Sequence, residues 1–418
     1  MFVVIAMERV ILHSDLNNFY ASVECLYHPQ LRNKPVAVGG DTEKRHGIVL
    51  AKNYIAKKYG IQTGEALWQA KQKCHDIVFV PPDFERYLEF SRAAREIYLY
   101  YTDRVEAFGL DECWLDVTGS TNLFGDGRKI ADEIRRKIKF ELGVTASVGV
   151  SYNKIFSKLG SDMKKPDATT VISQNDVKHK VWPLPVGDLL YVGSATKRKL
   201  YGMGIRTIGD MANTDAGLLR EKFGKIGYML WLFANGRDSS PVENISAEEQ
   251  IKSVGNSTTA PRDLKTDADV KIVLYLLCES VAARLREHHF KCSTIQISLR
   301  DNRLISFERQ GKLAVESNVS DMLFHRAFRL YQENRPHYPI RSVGVRACQL
   351  VQDTMQQESF LPEMIWMKKK YEIEKAVDSI RSRFGYFSVR RGIMLTDEQL
   401  SNLDAKSDHV IHPVSFLR

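Results

Sequence analysis

The order of hydrophobic patterns between residues 10 and 150 constrains the fold of this chain more than any other feature. Runs of apolar residues and helical spacing follow one another there without repeats or low-complexity segments. The predicted elements are a strand at 10–14, helices at 17–27 and 87–101, hairpin strands at 104–112 and 113–118, a helix with apolar residues at 130, 134, 138 and 142, and a strand at 144–150. This order predicts an α+β unit of the split βαβ type, with a long insertion after its first strand.

Three carboxylates lie at the ends of these predicted strands. Asp15 follows the first strand, and the adjacent pair Asp111 and Glu112 belongs to the hairpin. Neighbouring residues of a straight strand point to opposite faces, so this pair can share a site only where the chain turns. Three gathered carboxylates supply the hard oxygen ligands that hold two divalent cations during in-line displacement at phosphorus. The pattern favours phosphoryl or nucleotidyl transfer, although each acid alone is equally typical of a solvated turn.

Length and charge limit the classes of protein. A chain of 418 residues is too long for one core, so three or four compact units are expected. A net charge of +9 and a pI near 9.1 favour a polyanionic partner, either nucleic acid or an anionic membrane surface. No apolar run approaches the roughly 20 residues of a membrane span, and the first seven residues lack the features of a signal peptide. We therefore expect a soluble cytosolic protein.

The six cysteines are scattered through the chain without a CxxC pair. Neither a zinc site nor a disulfide framework is predicted from this spacing. We expect reduced thiols with mainly structural roles.

The second half of the chain carries two further signals. Glycine-bearing turns between short helices at 181–237 can offer backbone N–H groups to phosphates without reading bases. Residues 251–350 combine 16 basic with 10 acidic side chains, a net charge of +6, and contain predicted strands at 293–300 and 342–349. Helices are predicted in the same block at about 267–287 and 319–334. This block is a candidate basic clamp for nucleic acid.

Six segments together resemble a known family. They are HSDLNNFYASVE (13–24), KPVAVGG (34–40), AKNYIAKKYGI (51–61), LDECWLDVT (110–118), SVGVSYNKIFSKLGSDMKKP (147–166) and KSVGNSTT (252–259). Each is weak to moderate evidence alone, but six in one order and spacing are hard to obtain by chance. From about residue 9 to 395 the chain resembles the Y-family DNA polymerases of the bacterial polymerase IV type.

The resemblance implies an α+β multidomain fold shaped as a right hand, with a ferredoxin-like palm, small fingers, a helix-hairpin-helix thumb and an α/β little finger. The implied boundaries are 9–18 and 83–172 for the palm, 19–82 for the fingers, 173–240 for the thumb, 241–250 for a linker, 251–352 for the little finger and 353–418 for a tail.

The resemblance also implies the catalytic residues. Asp15, Asp111 and Glu112 match the metal-binding carboxylates of the family, and the carbonyl of Leu16 is a further expected ligand. Two Mg²⁺ ions are the implied cofactors. In the family they activate the primer 3′-hydroxyl and neutralise the triphosphate.

Substrate contacts carry over in the same way. Tyr20 matches the aromatic residue under the incoming sugar, where a ring blocks a 2′-hydroxyl, and Tyr54, Lys57 and Lys165 match triphosphate contacts. The ordinary alternatives are a core tyrosine and solvated surface lysines. For the thumb, the implied DNA contacts are Gly193, Gly202 and Gly204.

Three positions depart from the family pattern. Gly109-Leu110 stands where Ser-Ile is usual, which changes the packing near the metals but removes no ligand. Lys57 replaces the usual arginine, so we expect weaker orientation of the nucleotide. Tyr191 stands at the first glycine of the first thumb hairpin, and its Cβ is expected to weaken the DNA contact there.

The tail contains a short segment that resembles the pentapeptide by which bacterial polymerases dock on the sliding clamp. Gln357 would supply a hydrogen bond, and Phe360 and Leu361 would fill an apolar pocket. A plain connector is nearly as consistent with five residues. An apolar-striped helix is predicted after it at 370–384, with no partner assigned.

Together, these features and the resemblance predict a template-directed translesion DNA polymerase of low fidelity without proofreading. Its partners would be primer-template DNA, deoxynucleoside triphosphates and the sliding clamp, and we expect a cytoplasmic, nucleoid-associated monomer. A catalytically silent scaffold that binds DNA or the clamp is the main alternative, although it would not need the carboxylates. A membrane-surface protein is disfavoured because no strongly amphipathic basic helix carries Trp or Phe anchors.

Overall fold

The computed structural model describes residues 9–40, 47–245, 251–353 and 362–405. These residues form two compact units, the first ending at residue 245 and the second beginning at residue 251. Apart from Gly47, which groups with the second unit, the described residues of the predicted palm, fingers and thumb lie within the first unit. Residues 251–353 and 362–405 of the predicted little finger and tail lie within the second.

The first unit alternates short strands with helices. Its strands are β1 Ile11–Leu16, β2 Val36–Gly39, β3 Val49–Lys52, β4 Val78–Val80, β5 Val105–Ala107, β6 Glu112–Asp116, β7 Ala146–Ser151 and β8 Thr169–Val171. Its helices are α1 Phe19–Tyr27, α2 Tyr54–Lys58, α3 Leu67–Lys73, α4 Phe84–Leu99, α5 Thr121–Phe124, α6 Gly127–Lys137, α7 Lys154–Met163, α8 Ser194–Gly202, α9 Ile208–Asn213, α10 Ala216–Phe223 and α11 Lys225–Ala234.

The second unit pairs long strands with two long helices. Its strands are β9 Ser253–Leu264, β10 Phe290–Asp301, β11 Ser306–Ser317 and β12 Ile340–Gln352. Its helices are α12 Asp267–Glu287, α13 Ser320–Glu333, α14 Pro362–Phe384 and α15 Glu398–Ser401.

A five-stranded sheet of order β5-β6-β1-β7-β8 forms the centre of the first unit. β1 is wholly buried and runs antiparallel to β6 on one side and to β7 on the other. Since β5, β6, β1 and β7 are linked through α4 and α6, they form the split βαβ arrangement predicted from the sequence. The α+β fold class is confirmed.

The segment between α1 and α4 forms a separate small sheet of order β3-β2-β4 with its own apolar core. It occupies the insertion that the sequence predicted after the first strand. Helices α8 to α11 form a third core with residues from α7, which connects this helical part of the first unit to the central sheet.

The second unit is an antiparallel sheet of order β11-β10-β12-β9 with α12 and α13 on one face. Thr266 caps α12 by accepting from the backbone N–H of Asp269 (3.1 Å), and thirteen residues of that helix are buried. The predicted strands at 293–300 and 342–349 and both predicted helices are present as β10, β12, α12 and α13. β9 and β11 were not predicted, because their polar residues face both sides of the strand.

The face of this sheet away from the helices is polar. Core residues such as Ile297 and Val345 alternate with small residues and two exposed arginines. This open face carries Ser257, Thr259, Ser298, Arg300, Ser342, Gly344 and Arg346.

Helix α14 confirms the predicted tail helix but packs through charge instead of through its apolar stripe. Buried Glu374 accepts from Arg286 (2.5 Å), and Asp378 accepts from the same guanidinium (2.7 Å). The apolar side chains of Ile373, Ile380 and Phe384 are 40–68% exposed. The stripe therefore does not face the core of the second unit.

None of the helices in the described part of the chain has the length and apolar character needed to span a bilayer.

Candidate active site

The three predicted carboxylates meet where β1 ends and β6 begins. In the antiparallel register Asp15 lies opposite Glu112, and the backbone N–H of Leu16 donates to the carbonyl of Asp111 (2.9 Å). The observed turn spans residues 108–111, so Asp111 belongs to the turn and Glu112 is the first residue of β6. The sequence analysis predicted that Asp111 and Glu112 can share a site only where the chain turns, and the structure has a turn there.

Two lysines from the region of α7 hold these acids. Lys165 donates to Asp15 Oδ2 (2.7 Å) and to Asp162 (2.9 Å), and Lys158 donates to Glu112 Oε2 (2.8 Å). Within the described residues no three His, Cys, Asp or Glu side chains are already arranged to hold a metal. The three carboxylates lie close together, but those of Asp15 and Glu112 accept hydrogen bonds from lysine ammonium groups.

Burial and mutual repulsion raise the pKa values of two of these acids. Burial raises the pKa of Asp15 well above its ordinary value, Lys165 opposes the shift, and Glu112 and Asp111 add to it. Burial, followed by the charge of Glu112, raises the pKa of Asp111 to about 6. Without a cation the ionised forms of Asp15 and Asp111 are therefore disfavoured, and a hard divalent cation, which stabilises ionised carboxylates, fits this set of oxygen donors.

The pKa of Asp111 predicts a pH-dependent cost to stability. A folded-state pKa raised from 3.8 to about 6 means that the native state binds the proton more tightly, so stability falls as pH rises between these values. Asp111→Asn removes that charge and is expected to stabilise the chain by about 1–3 kcal/mol at pH 8. Below pH 4 the difference should vanish. Urea unfolding at both pH values checks this, and a destabilised variant at pH 8 would contradict it.

The turn after β1 is fixed by the carboxamide of Asn17. Its Nδ2 donates to Ser147 (3.0 Å), and its Oδ1 accepts from the backbone N–H of Asp167 (2.9 Å). Arg135 in turn donates to Asp167 (2.7 Å). These bonds tie the end of β1 to β7 and to the loop that carries Lys165, and so they hold Lys165 beside Asp15.

Tyr20 lies beside the carboxylates on a platform of aromatic rings. Its ring stacks on Tyr87 (centroids 4.3 Å apart, planes at 12°) and meets the edge of Phe84 (6.0 Å). Burial, and after it the charge of Asp111, raises the pKa of Tyr20 to about 12. Tyr87 is itself fixed, since its hydroxyl donates to buried Glu24 (2.6 Å). The structure places Tyr20 as a rigid surface next to Asp111.

Tyr54 and Lys57 share the short helix α2, whose N-cap Asn53 accepts from the N–H of Ala56 (2.9 Å). Burial raises the pKa of Tyr54, with a smaller opposing effect of Lys165 and a reinforcing one of Asp15. Lys57 Nζ lies 5.7 Å from the ring centroid of Tyr54. The structure thus brings Tyr54 into the electrostatic range of the carboxylate cluster, with Lys57 beside it.

Comparison with known proteins identifies this arrangement. Residues 14–162 match the family described as "impB/mucB/samB family", residues 251–360 match its C-terminal domain, and residues 187–238 match the thumb domain of DNA polymerase-iota. DNA polymerase IV of Acetivibrio thermocellus is 56% identical over 95% of this chain and 100% of its own length. DNA polymerase IV 2 of Bacillus subtilis is 37% identical, over 93% of this chain and 95% of its length.

The solved structure of a Y-family DNA polymerase chimera superposes with a TM-score of 0.72 at 25% identity, covering 82% of this chain and 99% of that one. The chain belongs to the Y-family DNA polymerases. The right-hand fold and DNA-directed DNA polymerase activity implied by the sequence resemblance are confirmed by this membership. The assignment of individual site residues stays a prediction.

The predicted thumb glycines of this Y-family chain are open to approach. A Cβ added at Gly193, Gly202 or Gly204 would meet no heavy atom within 4 Å, and Gly204 has φ +82°. Tyr191, at the departure from the family pattern, has φ +68° and a ring that is 56% exposed. Because bulky residues rarely adopt this left-handed conformation, the usual glycine there has a physical reason.

The clamp-docking residues Gln357, Phe360 and Leu361 lie outside the described residues, so their role stays a prediction.

Three residues that lie next to the carboxylates were not predicted from the sequence. Lys158 and Ser161 lie on the face of α7 that packs on β1, and His13 precedes Asp15 by two residues on the same face of β1. A charged residue on the inner face of an amphipathic helix was the available signal for Lys158. His13 is a polar residue within a buried apolar run, and this pattern was the available signal for His13.

Proposed function

We propose that the site formed by Asp15, Asp111 and Glu112 extends a DNA primer by two-metal nucleotidyl transfer. The observation that carries this proposal is the position of three acids at one sheet end, two of them with raised pKa values, beside Tyr20 and Lys165. Two Mg²⁺ ions held by these carboxylates and the carbonyl of Leu16 would lower the pKa of the primer 3′-hydroxyl and neutralise the triphosphate.

The remaining residues bind and orient the nucleotide in this proposal. With Asp15 holding a cation, Lys165 would be available to contact the triphosphate, and Tyr54 and Lys57 would contact the same phosphates. Tyr20 lies under the sugar, where its fixed ring excludes a 2′-hydroxyl. Lysine at position 57 holds phosphate as a point charge without the planar fork of arginine.

Primer-template DNA is held outside the catalytic centre in two places. The glycines of the thumb hairpins contact backbone phosphates through N–H groups, and the open face of the β9–β12 sheet lies along the duplex. The relatives named DNA polymerase IV support a translesion role, in which damaged template bases are copied with low fidelity and without proofreading. We place this monomeric enzyme at nucleoid DNA in the cytoplasm, docked on the sliding clamp through residues 357–361.

The open sheet face predicts the salt dependence of DNA binding. Arg300→Gln and Arg346→Gln should each lower the slope of log affinity against log salt by about 1, because each removes one phosphate contact. The exposed Arg329 on α13 lies on the helical side of the sheet, so Arg329→Gln serves as the control. Fluorescence anisotropy with a primed duplex from 50 to 300 mM salt checks the prediction, and equal slopes for all four proteins would refute it.

A primer-extension assay separates the enzyme from the silent scaffold. The wild-type chain, a primed template, the four deoxynucleotides and Mg²⁺ are expected to give extension that chelation abolishes. Binding of the primed template without extension in saturating Mg²⁺ would favour the scaffold.

A further inference from the structure

His13 is a buried histidine with one ring nitrogen directed at a catalytic carboxylate. Its side chain is fully buried in β1, and its Nε2 lies 3.7 Å from Glu112 Oε2. Within the described residues this Nε2 has no hydrogen-bond partner. A buried polar nitrogen without a partner is costly, so its position requires an explanation.

The ring is fixed on its other side. Its Nδ1 lies 2.8 Å from the hydroxyl oxygen of Ser161 on α7, and its face meets the indole of Trp114 at 63° with centroids 5.2 Å apart. Trp114 is opposite His13 in the register of β1 and β6, and its own N–H donates to the carbonyl of Lys154 (2.9 Å). Ser161 and Trp114 thus leave the imidazole little freedom to turn.

The neighbours of the ring determine which nitrogen carries the hydrogen. With hydrogen on Nδ1, the lone pair of Nε2 would face an anionic carboxylate, which is repulsive at low dielectric. With hydrogen on Nε2, the N–H points to Glu112, and the hydroxyl of Ser161 turns from the carbonyl oxygen of Lys158 (2.7 Å) to donate to Nδ1 (2.8 Å). The second tautomer gives both nitrogens a favourable neighbour, and its Nε2–H attracts the Oε2 of Glu112 electrostatically across 3.7 Å.

The contacts of Glu112 with Lys158 and His13 involve the same carboxylate oxygen. Lys158 donates to Oε2 at 2.8 Å, and Nε2 of His13 approaches the same atom. Oε1 is the oxygen that remains for a cation. We propose that His13, anchored by Ser161, is a positioning residue that holds Oε2 of Glu112 and so presents Oε1 to the divalent cation of the polymerase site.

This inference rests on the proposed function, and its test is a binding measurement without catalysis. The affinity of the full chain for Mn²⁺ is measured by electron paramagnetic resonance of the free ion. His13→Asn, whose amide reaches only the position of Nδ1, should weaken Mn²⁺ binding about tenfold, in the range seen when partners of metal ligands are removed. His13→Gln carries an N–H close to the position of Nε2 and should stay within about threefold of wild type.

Two further variants keep the test decisive if His13→Asn does not fold. Ser161→Ala removes the anchor of Nδ1 and should weaken Mn²⁺ binding in the same direction, by a smaller factor. In a Glu112→Gln background, Ser161→Ala should have no additional effect on Mn²⁺ affinity, because Ser161 and His13 act through Glu112.

The outcomes separate this inference from the proposed function. Wild-type Mn²⁺ affinity in His13→Asn and in Ser161→Ala would overturn the role of His13 alone. Equal loss of affinity in His13→Gln and His13→Asn, together with equally lowered melting temperatures, would also overturn it, since it would indicate a purely structural residue. A wild-type chain that binds no Mn²⁺ and extends no primer would instead overturn the proposed function.

Discussion

Replacing Asp111 by Asn is expected to reduce primer extension by at least ~10³-fold while DNA binding is retained. Asn has the shape of Asp but cannot supply the negative charge that the metals and the triphosphate require. Asp111 belongs to the turn before β6, and the site already gathers it with Asp15 and Glu112 at one sheet end. Single-turnover extension of a labelled primer with Mg²⁺ and the correct deoxynucleotide measures this effect.

The structure supplies the control for this experiment. Glu96 is an exposed acid on α4 of the same unit, and Glu96→Gln changes the net charge by the same amount. Glu96→Gln should extend primers at the wild-type rate. Asp111→Asn is also expected to be the more stable protein at pH 8, so a loss of activity cannot be ascribed to unfolding. Extension by Asp111→Asn within tenfold of wild type would remove Asp111 from the catalytic site.

Replacing Tyr20 by Ala is expected to lower the preference for deoxynucleotides over ribonucleotides by roughly 10²-fold, because it removes a repulsive contact with the 2′-hydroxyl. The stacking on Tyr87 and the contact with Phe84 support the ring in this position. The ratio of kcat/KM for a deoxynucleotide to kcat/KM for the matching ribonucleotide measures the effect.

Tyr20→Phe is the matched variant, since it keeps the ring and loses only the hydroxyl. It should keep the wild-type sugar preference, and both variants should incorporate deoxynucleotides. An unchanged preference in Tyr20→Ala would show that the ring does not lie at the sugar and would return Tyr20 to an ordinary core role.

Much of the catalytic region was predictable from the sequence because local patterns determine it. An apolar run, a helix with apolar residues four apart and a hairpin at an acidic pair predicted the elements of the central sheet, and the sheet brings Asp15 opposite Glu112. The recognition of the family supplied Tyr20, Tyr54 and Lys165, which no periodicity alone would have separated from core or surface residues.

What the sequence did not reveal depends on contacts between distant residues. In the sequence, Lys158 resembles other basic residues of a helix. The packing of α7 on β1 places it at Glu112. Helix α14 was predicted without a partner, and in the structure Glu374 and Asp378 of this helix bind Arg286. An ion pair across 88 or more residues of chain leaves no local signal.

In the proposed mechanism, Asp15, Asp111 and Glu112 hold two divalent cations when DNA and nucleotide are bound. Its most direct test is to count Mn²⁺ ions bound by the wild-type chain in complex with a primed template and an unreactive deoxynucleotide analogue. We expect two bound ions per complex in wild type and a loss of bound metal in Asp111→Asn. Two ions retained in Asp111→Asn with unchanged affinity, or none in wild type, would contradict it.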